Sequence, residues 1–254
     1  MSKLCFGKYE GAGNDFILVD DRSLSFSPSR VFSLCHRKFG IGADGLILLQ
    51  PDPKADFRMR IFNADGSEAE SCGNGLRCLL QFLRDLGEPF EKVRIAAGSR
   101  IVEGVWQDGL PCINLGAPRD FRTVQIGGWE VHAVDTGVPH AVLFVEDVRA
   151  VDVERLGPFF RHHALLQPRG ANVNFAELQK DGSIRVRTYE RGVEGEVLAC
   201  GTGAAAVGLF ASRLFSLPNP LSIRSAGGTL SIHLDREEIW LAGPATKVFV
   251  GEIK

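Results

Sequence analysis

Two cysteines of this 254-residue chain stand directly before a Gly-x-Gly tripeptide, and each tripeptide opens an apolar segment with helical spacing. The first is Cys72, in residues 72–75, and the second is Cys200, in residues 200–203. The start of a helix presents unpaired backbone N–H groups and about half a positive charge, so it binds anions and stabilises a thiolate. Glycine lets a ligand approach the backbone closely. The pattern therefore predicts two thiols that face one substrate carboxylate.

Two thiols on opposite sides of a carbon that carries a carboxylate suit one reaction. One thiolate would remove the α-proton from one face, and the other thiol would return a proton from the opposite face, which inverts the carbon. A single cysteine in an intracellular protein is more often a buried structural residue. Among the six cysteines, however, Cys72 and Cys200 are the two that occupy equivalent positions of an internal repeat and precede helix starts.

That internal repeat covers nearly the whole chain. Cys72 and Cys200 are 128 residues apart, and the strand-like segment 57–62 precedes the first cysteine as the segment 184–189 precedes the second. The flanking segments are related by similar offsets, all close to half the chain length. A duplicated domain with a pseudo-twofold axis is the simplest explanation.

Short strands and one strong helix make up each half of the repeat. Period-two patterns bounded by turn residues predict strands over 17–19, 46–49, 57–62, 141–145, 184–188 and 230–234. One apolar face over 76–86 and an almost wholly apolar stretch over 204–214 predict two central helices. Smaller helices are expected from Pro28, with Ser27 as N-cap and Gly40 as C-cap, and near 153–156.

These elements predict an α+β fold of two pseudo-symmetric domains, each a mixed β-sheet wrapped around a central helix, with the active site in the cleft between the domains. Gly and Pro at 116–118 mark the boundary. The first domain is expected to span 1–118 and carry Cys72, and the second to span 119–244 and carry Cys200. The last strand, 246–253, is expected to return to the first domain, which would add residues 245–254.

Composition excludes several classes of protein. The chain is 44% hydrophobic and 24% charged, which is typical of a soluble globular protein. Its 29 Lys and Arg against 31 Asp and Glu give a net charge of −2, and no long run of like charges marks a nucleic-acid partner. No segment is apolar enough to span a membrane, and residues 1–6 do not open a secretory signal. We therefore expect a cytoplasmic protein without disulfides, and the cysteine and histidine spacing predicts no metal site.

Six motifs, in order along the chain, closely resemble those of the diaminopimelate epimerase family. They are Gly-Ala-Gly-Asn-Asp-Phe at 11–16, Gly-Ile-Gly-Ala-Asp-Gly at 40–45, Phe-Asn-Ala-Asp-Gly-Ser at 62–67, Cys-Gly-Asn-Gly-Leu-Arg-Cys at 72–78, Tyr-Glu-Arg-Gly at 189–192 and Ala-Cys-Gly-Thr-Gly at 199–203. The resemblance implies a cofactor-independent isomerase that interconverts LL- and meso-2,6-diaminopimelate in lysine and peptidoglycan-precursor synthesis. We also expect a homodimer, and we expect the protein to bind a small amino-acid substrate.

The resemblance also implies roles for individual residues. Cys72 and Cys200 would be the acid and base, with His140 and Glu190 assisting proton movement. The residues that would hold the substrate are Asn14, Asn63, Gly73, Asn74, Asn172, Glu190, Arg191, Gly201 and Thr202.

Each of these residues has a structural alternative. Asparagines in turn-like contexts, such as Asn14 and Asn63, are common. A histidine such as His140 is more often an ordinary core or surface residue, and a Glu190–Arg191 pair would ordinarily be solvated and of small energetic worth. Arg191 as a planar donor to a substrate carboxylate follows only from the resemblance.

Two other cofactor sites are not expected. Gly40, Gly42 and Gly45 satisfy the dinucleotide fingerprint, but that fingerprint needs a strand before it and a helix after it. Here a predicted helix precedes the glycines and a predicted strand follows them. No lysine lies in a context that indicates a pyridoxal-phosphate Schiff base.

The chain departs from the family pattern in ways that leave its substrate open. Val138 stands where the family has Asn before Pro139-His140, and the segment between Glu190 and Cys200 is one residue longer than in many members, with Val197 in place of Thr. A broader amino-acid racemase that also acts on glutamate, or a relative of the proline racemases, is therefore an alternative. A non-catalytic binding protein is a third, and the retained cysteine pair argues against it.

Overall fold

The structure is a computed structural model that describes residues 3–69 and 72–253, so residues 1, 2, 70, 71 and 254 of the predicted domains lie outside the described residues. Its strands are β1 (Leu4–Gly11), β2 (Asn14–Asp20), β3 (Gly45–Gln50), β4 (Phe57–Asn63), β5 (Glu68–Ala69), β6 (Lys92–Ala97), β7 (Arg100–Gln107), β8 (Leu110–Gly116), β9 (Arg119–Ile126), β10 (Trp129–Asp135), β11 (Pro139–Phe144), β12 (Asn172–Leu178), β13 (Ile184–Glu190), β14 (Gly195–Val197), β15 (Leu221–Ser225), β16 (Gly228–Asp235), β17 (Glu238–Ala242) and β18 (Thr246–Ile253). Its α-helices are α1 (Val31–Cys35), α2 (Gly73–Asp85), α3 (Val153–Arg161) and α4 (Gly201–Phe215).

The chain divides into two compact units. One comprises Met1–Ile113 together with Gly243–Lys254, and the other comprises Asn114–Ala242. Strand β18, near the end of the chain, pairs antiparallel with β1 of the first unit. Within the described residues, no helix has the length and apolar character needed to cross a membrane.

The two units carry the same mixed sheet. In the first unit the strand order is β18-β1-β2-β3-β4-β6-β7-β8, and in the second it is β9-β10-β11-β12-β13-β15-β16-β17. The short strands β5 and β14 pair with β4 and β13. In both units the third and fourth strands of this order are parallel, as are the fifth and sixth, and the other neighbours are antiparallel. The identical order confirms the predicted α+β fold with an internal duplication.

The sheet of the first unit is covered on both faces. Helix α2 packs on β1, β2, β3, β4 and β18 through the leucine face that the periodicity predicts. On the opposite face, α1 packs its buried residues against Ile17, Val19, Leu46 and Leu48. The middle of β2 and all of β3 are therefore buried, as parallel strands generally are.

The second unit repeats this arrangement with smaller side chains in its central helix. The buried residues of α4 are mostly Ala and Gly, and a Cβ atom added at Gly208 would lie 3.1 Å from the side chain of Ile232. The absence of side chains there lets α4 approach β16 closely. On the other face, α3 contributes Val153 and Phe160 to a core with Val173 and Phe175.

The predicted end of the first helix is wrong. A short 3-10 helix over Pro28–Arg30 leads into α1, which ends at Cys35, five residues before the predicted cap at Gly40. The chain turns back after Cys35 because the N–H groups of Ile41 and Gly42 both donate to the carbonyl of Leu34. Gly40 is needed for close packing, since an added Cβ would lie 2.1 Å from a carbonyl oxygen of α1. At the other end, the predicted cap Ser27 makes no side-chain capping bond.

Candidate active site

Cys72 immediately precedes helix α2. Its backbone is extended (φ −147°, ψ 120°), its side chain is half-buried, and its Sγ accepts a hydrogen bond from the N–H of Gly75 at 3.5 Å. Gly73 and Asn74 are the first residues of the helix, so their N–H groups belong to its unpaired first turn. An anionic sulfur or carboxylate at this point is stabilised by the helix dipole.

The Asn14 amide contacts Cys72, and the Asn74 amide contacts Asn14. The thiol donates to Oδ1 of Asn14 at 3.7 Å, and Nδ2 of Asn74 donates to the same oxygen at 3.4 Å. On its other side, Asn14 donates from Nδ2 to Oδ2 of Asp44 at 2.9 Å. Asn14 begins β2 and Asn74 lies in the first turn of α2, so a strand and a helix together position the amide that contacts the sulfur.

An ion-pair cluster holds Asp44 in place. Nη2 of Arg37 lies 2.6 Å from Oδ1 of Asp44 and 2.7 Å from Oδ1 of Asp15. Burial alone would raise the pKa of Asp15, but hydrogen bonds from Arg37 and Lys8 outweigh burial and hold that pKa below its usual range. The anionic Asp15 thus fixes Arg37, and Arg37 fixes the carboxylate that Asn14 contacts.

Asn63 lies at the same end of the sheet but bonds within its own turn. The register places it opposite Gly45, which in turn lies opposite Phe16 in β2. Its Nδ2 donates to Oγ of Ser67 at 2.9 Å, and its backbone N–H donates to the carbonyl of Ser67 at 2.8 Å. Within residues 3–69 and 72–253, the side chain of Asn63 does not bond to Cys72 or Asn14.

Cys200 occupies the equivalent position before α4. Its backbone is extended (φ −127°, ψ 111°) and its side chain is half-buried. Gly201 and Thr202 are the first residues of the helix, and Oγ1 of Thr202 lies 3.5 Å from the Cys200 sulfur. Thr202 stands where α2 has Asn74, so a hydroxyl replaces an amide beside the second thiol.

The imidazole of His140 is buried beside Thr202. Its Nε2 lies 2.9 Å from Oγ1 of Thr202, and its Nδ1 lies 3.2 Å from Nδ2 of Asn174. Burial lowers the pKa of His140 to about 3, so the ring is neutral at physiological pH. His140 begins the buried part of β11, next to Asn174 on the neighbouring strand β12.

Glu190 is the polar partner of Cys200 on β13. Burial raises the pKa of its carboxyl group, and a hydrogen bond with Cys200 opposes that rise. A carboxyl group whose pKa is raised and which bonds directly to a thiol can exchange a proton with that thiol. The second unit therefore surrounds its cysteine with three groups that can carry a proton, namely Glu190, Thr202 and, through Thr202, His140.

Asn172 and Arg191 adjoin this cluster through the backbone. Oδ1 of Asn172 accepts from the N–H of Arg191 at 2.8 Å, and its Nδ2 donates to the carbonyl of Pro139 at 3.4 Å. The Arg191 guanidinium donates to the carbonyl of Arg169 at 3.2 Å. Asn172 therefore ties the turn after Glu190 to the start of β11.

Two of the three departures from the family pattern lie in turns, and the third, Val197, is the last residue of β14. Val138 is half-buried in the loop before β11, where its carbonyl accepts from the N–H of Thr136 at 3.2 Å. The longer segment forms a hairpin in which Glu190 pairs with Gly195 and the N–H of Glu194 donates to the carbonyl of Glu190 at 2.8 Å. This turn accommodates the length of the segment and leaves Cys200 at the start of α4.

Three other cysteines lie in the core. Burial raises the pKa of Cys35 to about 11 and that of Cys112 to about 12, and it raises the pKa of Cys78 as well. Thiols with such raised pKa values stay protonated at neutral pH, and the thiolate is the form that reacts as a nucleophile or takes up a proton. In the part of the chain that the structure describes, no group of three or more His, Cys, Asp and Glu side chains could hold a metal ion.

Each unit thus brings most of its predicted site residues into one network. Sequence reasoning assigned no role to several residues that complete these networks, namely Arg37, Asp44, Arg77, Thr136, Asn174 and Thr188. A signal existed for three of them, because Asp44 and Arg77 lie within the motifs at 40–45 and 72–78 and Asn174 lies two residues after a predicted site asparagine.

Known proteins are similar to this sequence over nearly its full length. The family model described as diaminopimelate epimerase matches residues 6–117 and 132–248. The diaminopimelate epimerase of Synechococcus sp. (strain JA-3-3Ab) is 43% identical, and the match covers 98% of each chain. That of Methanocella arvoryzae is 42% identical, and the match covers 100% of this chain and 98% of the relative.

Solved structures with low sequence identity share the fold. A phenazine biosynthesis protein of the PhzF family from Bacillus anthracis has a TM-score of 0.78 at 18% identity, with both chains covered completely. A hydroxyproline epimerase from Agrobacterium vitis has a TM-score of 0.69 at 16% identity, with 99% of this chain and 92% of that chain covered. These neighbours support the duplicated fold, and the family model and the full-length relatives identify the sequence more narrowly. The chain belongs to the diaminopimelate epimerase family.

Proposed function

We propose that this protein interconverts LL- and meso-2,6-diaminopimelate, as an isomerase of lysine and peptidoglycan-precursor synthesis that needs no cofactor. The observation that carries the proposal is that each unit holds a half-buried cysteine directly before its central helix, hydrogen-bonded to polar side chains. A thiol at a helix start can exist as a thiolate at neutral pH, which a two-base reaction requires of one cysteine at a time.

The proposed reaction moves one proton in each direction. The thiolate of one cysteine takes the α-proton, and the electron pair of the broken C–H bond stays on the α-carbon, next to the carboxylate. The thiol of the other cysteine then donates its proton to the opposite face of that carbon. The α-carbon is inverted, and the two sulfurs have exchanged protonation states.

Backbone groups at the two helix starts would hold the α-carboxylate of the substrate. The N–H groups of Gly73, Asn74, Gly201 and Thr202 belong to the first turns of α2 and α4, where a helix has no internal acceptor for them. These N–H groups favour the negative charge that builds up on the carboxylate when the α-proton leaves. The same groups therefore serve both binding and the transition state.

Side chains around each cysteine would divide the remaining tasks. Asn14 contacts the Cys72 thiol directly and would orient it, whereas Glu190 and His140 would assist proton movement at Cys200. Asn63, Asn172 and Arg191 would contact the distal amino and carboxylate groups of the substrate. For Asn63 this role requires its side chain to leave Ser67, to which it bonds in the described structure.

A broader racemase that also acts on glutamate is the second candidate. Val138 carries an isopropyl group where the family has an amide, and an apolar side chain cannot replace the amide's hydrogen bonds to a charged substrate. The loss of affinity that follows when the substrate lacks the distal amine would therefore be smaller in this protein than in a typical family member.

Proton exchange with deuterated water tests the proposal and separates the two candidates. The purified protein is incubated in D2O with LL-diaminopimelate, glutamate or proline, and the α-hydrogens are followed by NMR. A two-base diaminopimelate epimerase places deuterium in the newly formed meso product, whereas the remaining LL substrate keeps its hydrogen at early times. Absence of exchange with diaminopimelate would refute the proposal, and exchange with glutamate at a comparable rate would favour the broader racemase.

We further propose that the protein is a cytoplasmic homodimer whose interface includes strand β18. Val248, Phe249 and Val250 on this strand are 56%, 46% and 70% exposed, and an exposed apolar strand readily pairs with another chain. Sedimentation should give twice the monomer mass for the wild type and the monomer mass for Val250→Lys. The matched control is Phe32→Lys, which alters a similarly exposed side chain far along the chain from β18.

A further inference from the structure

Arg77, in the second turn of α2, carries a fully buried guanidinium group. Its side chain is 0% exposed, and its Nε has no hydrogen-bond partner. Its Nη2 donates to Oδ1 of Asn74 at 3.0 Å, and its Nη1 donates to the carbonyl of Gly73 at 3.4 Å. Both partners are neutral oxygens. Among the described residues, no carboxylate lies within ion-pair distance of Arg77.

This burial does not serve stability. A buried charge without a counter-ion is costly, and replacing buried charged groups by apolar side chains of similar volume is often neutral or stabilising. The equivalent helix supports the same conclusion, because the residue 128 positions later is Ala205, which is also fully buried. The fold therefore accepts an apolar side chain at this place in the repeat.

The guanidinium does, however, determine the orientation of two amide side chains in contact with each other, those of Asn74 and Asn14. An arginine can only donate hydrogen bonds, so the oxygen of Asn74 must face Arg77 and its nitrogen must face away. That nitrogen lies 3.4 Å from Oδ1 of Asn14, which makes the Asn14 oxygen the acceptor at that contact.

The opposite end of this pair of amides is fixed by a negative charge. The carboxylate of Asp44 can only accept, so the nitrogen of Asn14 must face it, at 2.9 Å. A buried cation at one end and a carboxylate at the other thus leave one orientation for both amides. In that orientation the Asn14 oxygen accepts from the Cys72 thiol at 3.7 Å.

The positive charge acts on Cys72 as well. Burial lowers the pKa of Arg77, and Cys78, Cys72, Glu10 and Cys112, when ionised, each favour its charged form. Because such coupling is reciprocal, the guanidinium favours the thiolate of Cys72. Cys78 and Cys112 are themselves held as neutral thiols by burial, which raises the pKa of each.

We propose that Arg77 is a positioning residue for the Cys72 half of the site: through Asn74 it orients the Asn14 amide so that its oxygen accepts from the Cys72 thiol, and it supplies positive charge that favours the thiolate. This role rests on the proposed function, in which Cys72 alternates between thiol and thiolate. Arg77 touches neither the substrate nor the reacting atoms.

The variant Arg77→Met tests the proposal because it removes the charge and the donors and keeps much of the volume. We expect kcat to fall by tenfold or more with little change in KM, since misplacing a catalytic group by about 1 Å can cost on the order of 100-fold. The thermal midpoint should be equal to or higher than that of the wild type. The acidic limb of the kcat/KM profile should move to higher pH, because the thiolate loses a stabilising charge. Arg84→Met alters an exposed arginine on the same helix, whose guanidinium lies over the Trp106 ring; it is the matched control and should change neither kcat nor the pH profile.

A measurement without substrate separates failure of this proposal from failure of the proposed function. The rate of Cys72 alkylation by iodoacetamide is followed against pH by peptide mass spectrometry in the wild type, Arg77→Met, Arg77→Lys and Arg84→Met. We expect Arg77→Met to need a higher pH for half-maximal reactivity, and Arg77→Lys, which keeps the charge, to react more like the wild type.

Three results would overturn the positioning role whatever the substrate proves to be. They are an unchanged alkylation profile in Arg77→Met, equal slowing in Arg77→Lys and Arg77→Met, and a large loss of stability in Arg77→Met, which would make the arginine structural. Inactive wild-type protein with the expected alkylation shifts would refute the proposed function and leave the role of Arg77 supported.

Discussion

The hydroxyl of Thr188 donates to the amide oxygen of Asn174 at 3.0 Å, and this contact determines which atom of the amide faces His140. With its oxygen occupied, Asn174 presents its nitrogen both to the carbonyl of Ala141, at 3.0 Å, and to Nδ1 of His140, at 3.2 Å. Nδ1 is therefore an acceptor, and the neutral ring carries its proton on Nε2. That proton is donated to Thr202, which leaves the Thr202 hydroxyl hydrogen available to the Cys200 sulfur.

The buried, neutral state of His140 predicts a dependence of stability on pH. Its pKa in the folded chain, about 3, lies below the ordinary value of 6.5, so the unfolded chain binds the extra proton between these pH values. His140 therefore contributes stability that is fully present above pH 6.5 and is lost as the pH falls toward 3, by up to about 1.4 kcal/mol per pH unit. Urea unfolding of His140→Asn should show a flatter pH dependence in this window. The exposed His162→Asn should follow the wild type, and identical slopes in all three proteins would contradict the prediction.

Loss of the Thr202 hydroxyl should affect Cys200 and not Cys72. In Thr202→Val the sulfur loses one donor, and a hydrogen bond to a charged group contributes about 1.5–3 kcal/mol. We expect the pH of half-maximal Cys200 alkylation to rise, with a tenfold or larger decrease in kcat, while the Cys72 profile stays unchanged. Thr123→Val, which removes a hydroxyl from a different Thr–His contact in the same unit, is the control. An equal response of both cysteines would show that the hydroxyl does not act through Cys200.

The two proposed catalytic cysteines should each be indispensable. Because one thiol serves each face of the α-carbon, Cys72→Ala and Cys200→Ala should each lose at least about 1000-fold in turnover, since a general acid or base contributes about 10²–10⁴-fold. Cys35→Ala and Cys112→Ala should retain activity, because burial keeps those thiols protonated. Deuterium exchange measures all four variants in one assay. Near-normal epimerisation by either of the first two variants would falsify the two-base mechanism.

Val138 should control discrimination between substrates. Restoring the family's amide with Val138→Asn should raise the preference for diaminopimelate over glutamate by about ten- to a hundredfold, which is the worth of one hydrogen bond to a charged group. The ratio of exchange rates on the two substrates is the measurement, and Val193→Asn, an exposed valine, is the control. If the ratio is the same in wild type and Val138→Asn, another residue supplies the missing contact.

Much of the fold could be predicted because its signals are local or periodic. The pattern of two cysteines 128 residues apart, each before Gly-x-Gly, predicted both central helices and the duplication. The two helices begin three residues earlier than their apolar spacing indicates, at Gly73 and Gly201, because glycines carry no side chain that could mark a helix face. The end of α1 could not be predicted, because it depends on the carbonyl of Leu34, which accepts from the N–H groups of Ile41 and Gly42 beyond the helix. No residue type within the helix indicates that contact.

The site networks were harder to predict because their members are far apart in sequence. Asp44 reaches Asn14 across 30 residues, and Thr188 reaches Asn174 from a neighbouring strand. Arg77 lies within the motif at 72–78, but a charged residue in an amphipathic helix is normally assigned to the solvated face. Only its burial and its bond to Asn74 reveal a different role.

The identical strand order of the two units has a consequence for stereochemistry. A duplication begins with two equal halves, which would give the two thiols the same chemical surroundings. Here the equivalent positions have diverged: Asn74 is equivalent to Thr202, and Arg77 is equivalent to Ala205. LL- and meso-diaminopimelate are diastereomers. They share the configuration of the distal carbon and differ in the configuration of the reacting carbon. A pair of chemically unequal halves suits such a substrate, because each can adapt to one configuration without altering the chemistry of the other.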